Sequence, residues 1–356
     1  IQVPLLVPLK MSGVHIEHCD NTVVKITANN GKVGWGEAPY APFFNGETSR
    51  GMVAAIDFMK DRLLGKEILK QSDIKDVISS TIYGNSGAKS AIDMALYDLF
   101  GKSEDKPLYE TLGGAKRDKV PMIWLVAGGD DEFKLLAEKV DQGFVSFKVK
   151  VGTNNVHEDI ERSYQAQRIL DHNYTLSADA NQGFNRSDAL IFASKTGDIG
   201  LDFFEQPVTG KDIDAMVECN ARSYAPIGVD EGIHNIDDIK IHHDRKAANG
   251  GSLKMIKFGG VAQLFEAANL MHSYDMHINL AGKAANTSIG SAAIAHFTRA
   301  LPSLDWDASL SSQYLSDDIA ENPVKVIEGH IITPEDGPGL GINIDEDKLN
   351  QYSIKL

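Results

Sequence analysis

Leu201-Asp202-Phe203-Phe204-Glu205-Gln206-Pro207 and Ile227-Gly228-Val229-Asp230-Glu231 decide the fold. Each is a short apolar run that ends on a carboxylate, and 25 residues separate Glu205 from Asp230. That interval leaves room for one helix between two strands, the spacing of a βα unit in a parallel sheet. Reading outward finds the same beat on both sides, with apolar runs at 120–126, 145–151, 175–180, 201–205, 227–230, 253–258, 277–281 and 304–306. Eight such units predict an α/β chain folded as a (β/α)8 barrel, a modified TIM barrel. An open doubly wound sheet is the competitor, but no glycine-rich phosphate fingerprint follows an early strand.

In a barrel, the C-terminal ends of the strands form the working face. The second run ends Phe147-Lys148-Val149-Lys150, the third ends Ala178-Asp179-Ala180-Asn181, and the sixth carries Lys254-Met255-Ile256-Lys257. From Lys150 to Asp179 is 29 residues, then 26 to Glu205, 25 to Asp230 and 24 to Lys254, so each step returns to the same height one strand on. Lys148 and Lys150 are two apart and share one side of their strand. Three carboxylates in a tight cluster cannot all stay ionised without a cation. Oxygen donors without His or Cys point to Mg²⁺, with Mn²⁺ as its substitute. A second ammonium and a metal nearby favour the neutral amine, so Lys150 is expected to serve as a general base near neutral pH. With Lys254 across the mouth, the pair suits removal of a proton beside a metal-bound carboxylate and its return to the opposite face. Taken singly, Asp179 or Asp230 reads as a helix cap; the phased set carries the chemistry.

Before residue 119 the pattern is different. Runs at 23–27 and 33–35 flank Asn29-Asn30-Gly31, a tight hairpin signal. A helix at 48–64 starts from Thr48 or Ser49, and a second at 86–100 stops at Gly101. The tail from 316 contains Gly337-Pro338-Gly339-Leu340-Gly341 and is expected to pack back on the first unit. The expected division is an α+β capping domain over 1–118, the barrel over 119–315, and a C-terminal segment over 316–356 that returns to the cap.

Composition narrows the partners. Fifty acidic residues against thirty-five basic ones give a net charge of −15 over 356 residues, which argues against nucleic acid and membrane surfaces. Cys19 and Cys219 make neither a disulfide framework nor a metal knuckle. No apolar run reaches the roughly 18 residues of a membrane span. No basic-then-apolar leader opens the chain, and a cytoplasmic location is expected; Ile1 in place of Met leaves room for a preceding segment.

The motifs together resemble the enolase superfamily, muconate lactonizing enzyme subgroup. Gly34-Trp35-Gly36-Glu37-Ala38-Pro39 is similar to the hairpin exit of that family's capping domain. Ala91-Ile92-Asp93-Met94-Ala95-Leu96-Tyr97-Asp98-Leu99, then Pro107-Leu108 and Leu112-Gly113-Gly114, resembles its helix and turn leading into the barrel. Lys148-x-Lys150, Asp179-Ala180-Asn181, Glu205-Gln206-Pro207, Asp230-Glu231 and Lys254-x-x-Lys257-x-Gly259-Gly260 follow in family order. The resemblance implies Asp179, Glu205 and Asp230 as Mg²⁺ ligands and Lys150 with Lys254 as the acid/base pair. Lys148 would tune Lys150 and touch the substrate carboxylate, with Asn181, Glu231 and Lys257 in support.

Strand seven lacks the histidine of the mandelate racemase subgroup, and His277, too early in its run, reads as structural. Asp305-Trp306-Asp307 resembles the Asp-x-Asp with which dipeptide epimerases hold a substrate ammonium. Ala281-Gly282-Lys283-Ala284-Ala285-Asn286-Thr287 departs from their Gly-Ser-Met-x-Glu and puts Lys283 at the mouth as a substrate contact. The segment 13–21, with His15 and His18, is expected to cover the site, and Tyr40, Phe43 and Phe44 to shape specificity. The implied reaction is 1,1-proton transfer by an epimerase or racemase on an amino-acid-type substrate, such as a dipeptide or proline derivative. Elimination of water from a 3-hydroxy amino acid such as cis-3-hydroxyproline, or a cycloisomerisation, would use the same lysines. A homo-oligomer acting on a small carboxylate is expected.

Overall fold

The computed structural model describes residues 1–11, 14–42, 44–67, 70–283, 285–334 and 337–355, without the side chains of 7–11, 14 and 15. Phe43 and the His15 side chain therefore lie outside the described residues. Eight strands, Ile123–Val126, Ser146–Lys150, Thr175–Asp179, Phe203–Glu205, Ile227–Val229, Gly250–Leu253, His277–Ala281 and Ala308–Ser309, form one sheet in sequence order. All their pairings are parallel. Met122 bridges Ala308, so the last strand meets the start of the first and the barrel nearly closes. Unbroken order with near closure excludes the doubly wound sheet, whose strand order reverses part-way.

Three strands sit elsewhere than expected. The sixth is Gly250–Leu253, ending where 253–258 was predicted to begin, and Met255–Phe258 is a helical turn. Glycines carry no apolar side chain to mark a strand, yet close packing demands them: a Cβ on Gly250 would lie 2.6 Å from the His277 carbonyl oxygen. The eighth is Ala308–Ser309 rather than 304–306. Trp306 stacks on Phe203, with centroids 4.2 Å apart, and on His277 at 5.0 Å, which pins the preceding segment at the barrel base. The first run is split, with Val120–Pro121 pairing antiparallel to His330–Ile332 and only Ile123–Val126 entering the barrel.

The cap is built on the predicted hairpin, Asn21–Thr27 against Val33–Pro39. It lies on the helix Ser86–Glu104 so closely that a Cβ on Gly34 would come within 2.1 Å of the Ala95 carbonyl oxygen, and one on Gly36 within 2.0 Å of Ala91's. This helix runs through its predicted stop at Gly101 and ends at Asp105, which takes the left-handed conformation at φ 54°. Gly101 serves packing instead, since the tail crosses there with Gly339 Cα 2.8 Å from where a Cβ would be. Helix Ser49–Leu63 starts from Thr48, whose side chain accepts from Gly51 N. A further helix, Gln71–Ser79, was not anticipated and buries Ile74 and Ile78.

Glu37 at the hairpin exit fastens cap to barrel. It accepts hydrogen bonds from Asn21 Nδ2, Asn286 Nδ2, Thr287 N, Thr287 Oγ1 and Gly290 N, around the start of the barrel helix Ser288–Ala300. The tail meets the cap helix where Leu340 N donates to Asp98 Oδ1 at 2.8 Å. Among the described residues no helix is long and apolar enough to cross a membrane.

Candidate active site

The barrel interior is filled from the base by aromatic rings and then by a polar layer. Trp306 and Phe203 stack at the bottom, and Lys148 Nζ sits 5.0 Å above the Phe203 ring. Lys148 is ion-paired with Glu205, buried at the end of the fourth strand. Ser252 Oγ donates to Glu205 Oε1 at 2.5 Å and lies 2.9 Å from Asn279 Oδ1. Asn279 in turn donates to the carbonyls of Trp306 and Asp307, both at 2.9 Å. Ser252 and Asn279 were missed at the sequence level. Asn279 left a signal, a polar residue inside the apolar run 277–281, whereas Ser252 lay in the unrecognised glycine strand.

Above this layer the strand ends carry the remaining groups. Register is level from Lys150 to Asp179 to Glu205. It then climbs, because Glu205 pairs with Gly228, two residues before Asp230, and Gly228 pairs with Gly250, four before Lys254. The set is thus a staircase rather than one level, as the stagger of a closed barrel requires. Lys150 Nζ donates to Asp179 Oδ2 at 2.6 Å and to Asn181 Oδ1 at 2.9 Å. Lys254 is ion-paired with Asp230. Lys257, three residues on around the helical turn, reaches the same carboxylate at 3.0 Å and the carbonyls of Asp230 and Ser252 at 2.8 and 2.5 Å.

Charge and burial set the electrostatics. Burial alone would raise Asp230, but the Lys254 and Lys257 ammoniums hold it well below the usual carboxylate range. Burial pulls Lys254 down, yet Asp230, Glu231 and Glu205 outweigh it and keep the ammonium above the ordinary lysine range. Burial, then Asp230 and Asp179, pushes the Glu231 carboxyl up to about 8. Glu231 Oε1 accepts from Asn181 Nδ2 at 3.1 Å, while its buried Oε2 has no partner among the described residues.

These groups open into one cleft of about 360 Å³ under the cap. Lys148, Lys150, Asp179, Asn181, Glu205, Glu231, Lys254 and Lys283 all line it, and His18, Tyr40 and Phe44 form the cap side. Phe44 lies 4.8 Å from Lys254 Nζ, and its carbonyl is 3.1 Å from His234 Nε2. Leu125 and Tyr314, which the sequence reading did not single out, also line it. Asp305 and Asp307 do not. Asp305 is paired with His277 at the start of the seventh strand, and the Asp307 side chain bonds Ser146 at the start of the second. Both lie toward the strand N-termini, because the eighth strand begins only at Ala308, and Ser309, Leu310 and Ser311 form the cleft wall instead.

Asp179, Glu205 and Asp230 offer oxygen donors only, buried on three neighbouring strands, a donor set that fits a hard divalent cation. As they stand each is turned to a lysine, and among the described residues no three acidic, His or Cys side chains converge on one point.

A near-closed (β/α)8 barrel with buried lysine–carboxylate pairs at its C-terminal mouth, under an α+β cap, is the architecture of a barrel enzyme. Family profiles for "Mandelate racemase / muconate lactonizing enzyme, N-terminal domain" and "Enolase C-terminal domain-like" match residues 1–113 and 132–348. The chain belongs to this mandelate racemase/muconate lactonizing enzyme family of the enolase superfamily. It is 28% identical to the N-succinyl-L-Arg/Lys racemase of Bacillus cereus over 99% of this chain and 96% of that one. The crystal structure of the Bacillus cereus N-succinyl Arg/Lys racemase superposes with a TM-score of 0.94 at 27% identity, covering 100% of this chain and 96% of the other. The L-Ala-D/L-Glu epimerase of Bacillus subtilis is 31% identical over 96% of this chain and 94% of its own. The chloromuconate cycloisomerase of Cupriavidus pinatubonensis is 27% identical over 99% and 96%. Racemase, epimerase and cycloisomerase are all isomerases.

Proposed function

We propose that this protein is a racemase or epimerase of amino acids whose α-nitrogen is acylated, as in an N-acyl amino acid or a dipeptide. The observation that carries the reading is the placement of Lys150 and Lys254. They close the second and sixth of eight strands, four strands apart, and line one cleft from opposite walls. Two bases on opposite sides of one carbon are what inversion at Cα requires. Relatives named for N-succinyl amino acids and for a dipeptide support the acylated class. The wall of Ser309, Leu310 and Ser311 offers no carboxylate for the free ammonium of a dipeptide, which favours N-acyl amino acids within that class. The eliminating alternative is not needed, because the relatives are isomerases.

Asp179, Glu205 and Asp230 would hold a divalent cation such as Mg²⁺, which would supply positive charge for the substrate carboxylate. Lys148, fixed by Glu205, presents a second positive charge to that carboxylate. One of Lys150 and Lys254 takes the α-proton and the other gives one back on the opposite face. Asn181 and Lys257 hold their neighbours in place, and Phe44 with Tyr40 excludes water above.

The test is loss of the Cα proton signal in D2O, followed by ¹H NMR with Mg²⁺ and both enantiomers of N-succinyl amino acids, dipeptides and proline derivatives. Exchange with inversion is expected. A silent panel, or cyclisation of muconate in its place, would refute it. Chelation should abolish exchange, with Mg²⁺ or Mn²⁺ restoring it; full turnover in excess chelator would remove the cation from the account.

A further inference from the structure

Among the described residues, Lys283 is the one lysine lining the cleft whose ammonium has no carboxylate in direct contact. It follows the seventh strand, and its backbone is fixed: Ser311 Oγ donates to the Lys283 carbonyl at 2.9 Å, and Gly282 N donates to Ser309 O at 3.0 Å. Lys148, Lys150 and Lys254 line the same cleft, and each is paired with Glu205, Asp179 or Asp230. Among the described residues, the Lys283 ammonium makes neither a hydrogen bond nor an ion pair. Desolvation in the cleft wall and the Lys254 ammonium draw it down to about 8, against the opposing pull of the Asp230 and Glu231 carboxylates. A half-buried ammonium with no carboxylate in direct contact leaves a need for an anionic partner. Nor would the substrate α-carboxylate meet this need, since Lys148 and the proposed cation already face it. Lys283 stands beyond Lys254, between the sixth-strand end and the wall of Ser309–Ser311, where the more distant part of a substrate would lie.

We propose that Lys283 receives a second carboxylate of the substrate, so that the enzyme selects dianionic N-acyl amino acids. This inference rests on the racemase reading for its substrate frame. The second carboxylate can sit on the acyl arm or on the side chain, and the two sources are separable. The holoenzyme with Mg²⁺ is given N-succinylalanine against N-butyrylalanine, and N-acetylglutamate against N-acetylnorvaline, with kcat/KM read from Cα exchange. In at least one pair the dianion is expected to win by about thirtyfold, the scale of a charge-assisted hydrogen bond. Lys283→Met should bring that ratio to within about threefold of unity, and Lys283→Arg should restore most of it. The pair that responds identifies the arm. A ratio near unity in the wild type, or one unchanged in Lys283→Met, overturns the proposal.

Calorimetric binding of N-succinylglycine against N-butyrylglycine separates the two failures. A binding preference that Lys283→Met removes, with no exchange on any compound, keeps the anion site and refutes the racemase reading. Exchange without any preference for the dianion does the reverse.

Discussion

The Lys257 side chain is buried, and its Nζ lies 3.0 Å from Asp230 Oδ1. Its burial is tolerable because three oxygens take its protons, two of them from Asp230. Burial, with Lys254 nearby, lowers its affinity for the proton, but the Asp230 carboxylate opposes this. Removing the ammonium would leave Asp230 buried with one cation in place of two. Lys257→Met should therefore destabilise the protein by about 3–5 kcal/mol, read as a lower urea midpoint, the cost typical of breaking a buried pair. A midpoint within experimental error of wild type would mean that Asp230 does not need it. Some of this residue-scale detail is legible in the sequence. Lys150, Asp179, Glu205, Asp230 and Lys254 recur at steps of 24–29 residues, and such spacing needs no knowledge of packing. The carboxylate–lysine partners themselves are not legible, because they depend on the stagger that lifts Asp230 and Lys254 above the level of Glu205.

Elements defined by apolar side chains are readable, and those defined by their absence are not. The hairpin and the helix Ser49–Leu63 emerge from Asn-Gly chemistry, capping and periodicity. The sixth strand did not, because Gly250-Gly251 looks like a loop until its neighbours are known. Gly101 misled in the same way, taken for a helix stop when it makes room for the tail. The Asp-x-Asp at 305–307 misled because strand eight starts later than its apolar residues suggest, with Trp306 committed to the base. If Gly250 is present for close approach, Gly250→Ala should cost about 1–3 kcal/mol, the range for overpacking. It would press on the His277 carbonyl and on Trp306, 2.7 Å from the new Cβ. Gly46→Ala, at φ +82° with nothing within 4 Å of a Cβ, reports backbone strain alone in a thermal melt, whereas Gly250 is not a positive-φ glycine and its loss reports packing. A Gly250→Ala melting temperature equal to wild type would mean that close packing is not what keeps glycine there.

At the scale of the molecule, the cap, barrel and tail are joined by buried polar groups. His296 stands where all three meet: its Nδ1 accepts from Tyr109 N at 3.4 Å and its Nε2 donates to the Leu340 carbonyl at 3.2 Å. Burial pushes its imidazolium down to about 4 from the usual 6.5. The unfolded chain thus takes up this proton before the folded one, so the stability present above pH 6.5 is lost as pH falls toward 4. The loss is on the order of 3 kcal/mol by linkage, and a His296→Gln variant should show a flatter dependence in urea melts across that window. A parallel dependence would assign the acid lability elsewhere. The same closure that brings the three parts together sets Lys150 opposite Lys254, and that opposition is the central claim. It is tested by Cα exchange in D2O, measured separately from each enantiomer with Lys150→Arg and Lys254→Arg. Racemisation should fall by about a thousandfold in both, while each variant keeps exchange with one enantiomer, and the two keep opposite ones. Loss of exchange with the same enantiomer in both variants, or wild-type racemisation in either, would contradict it.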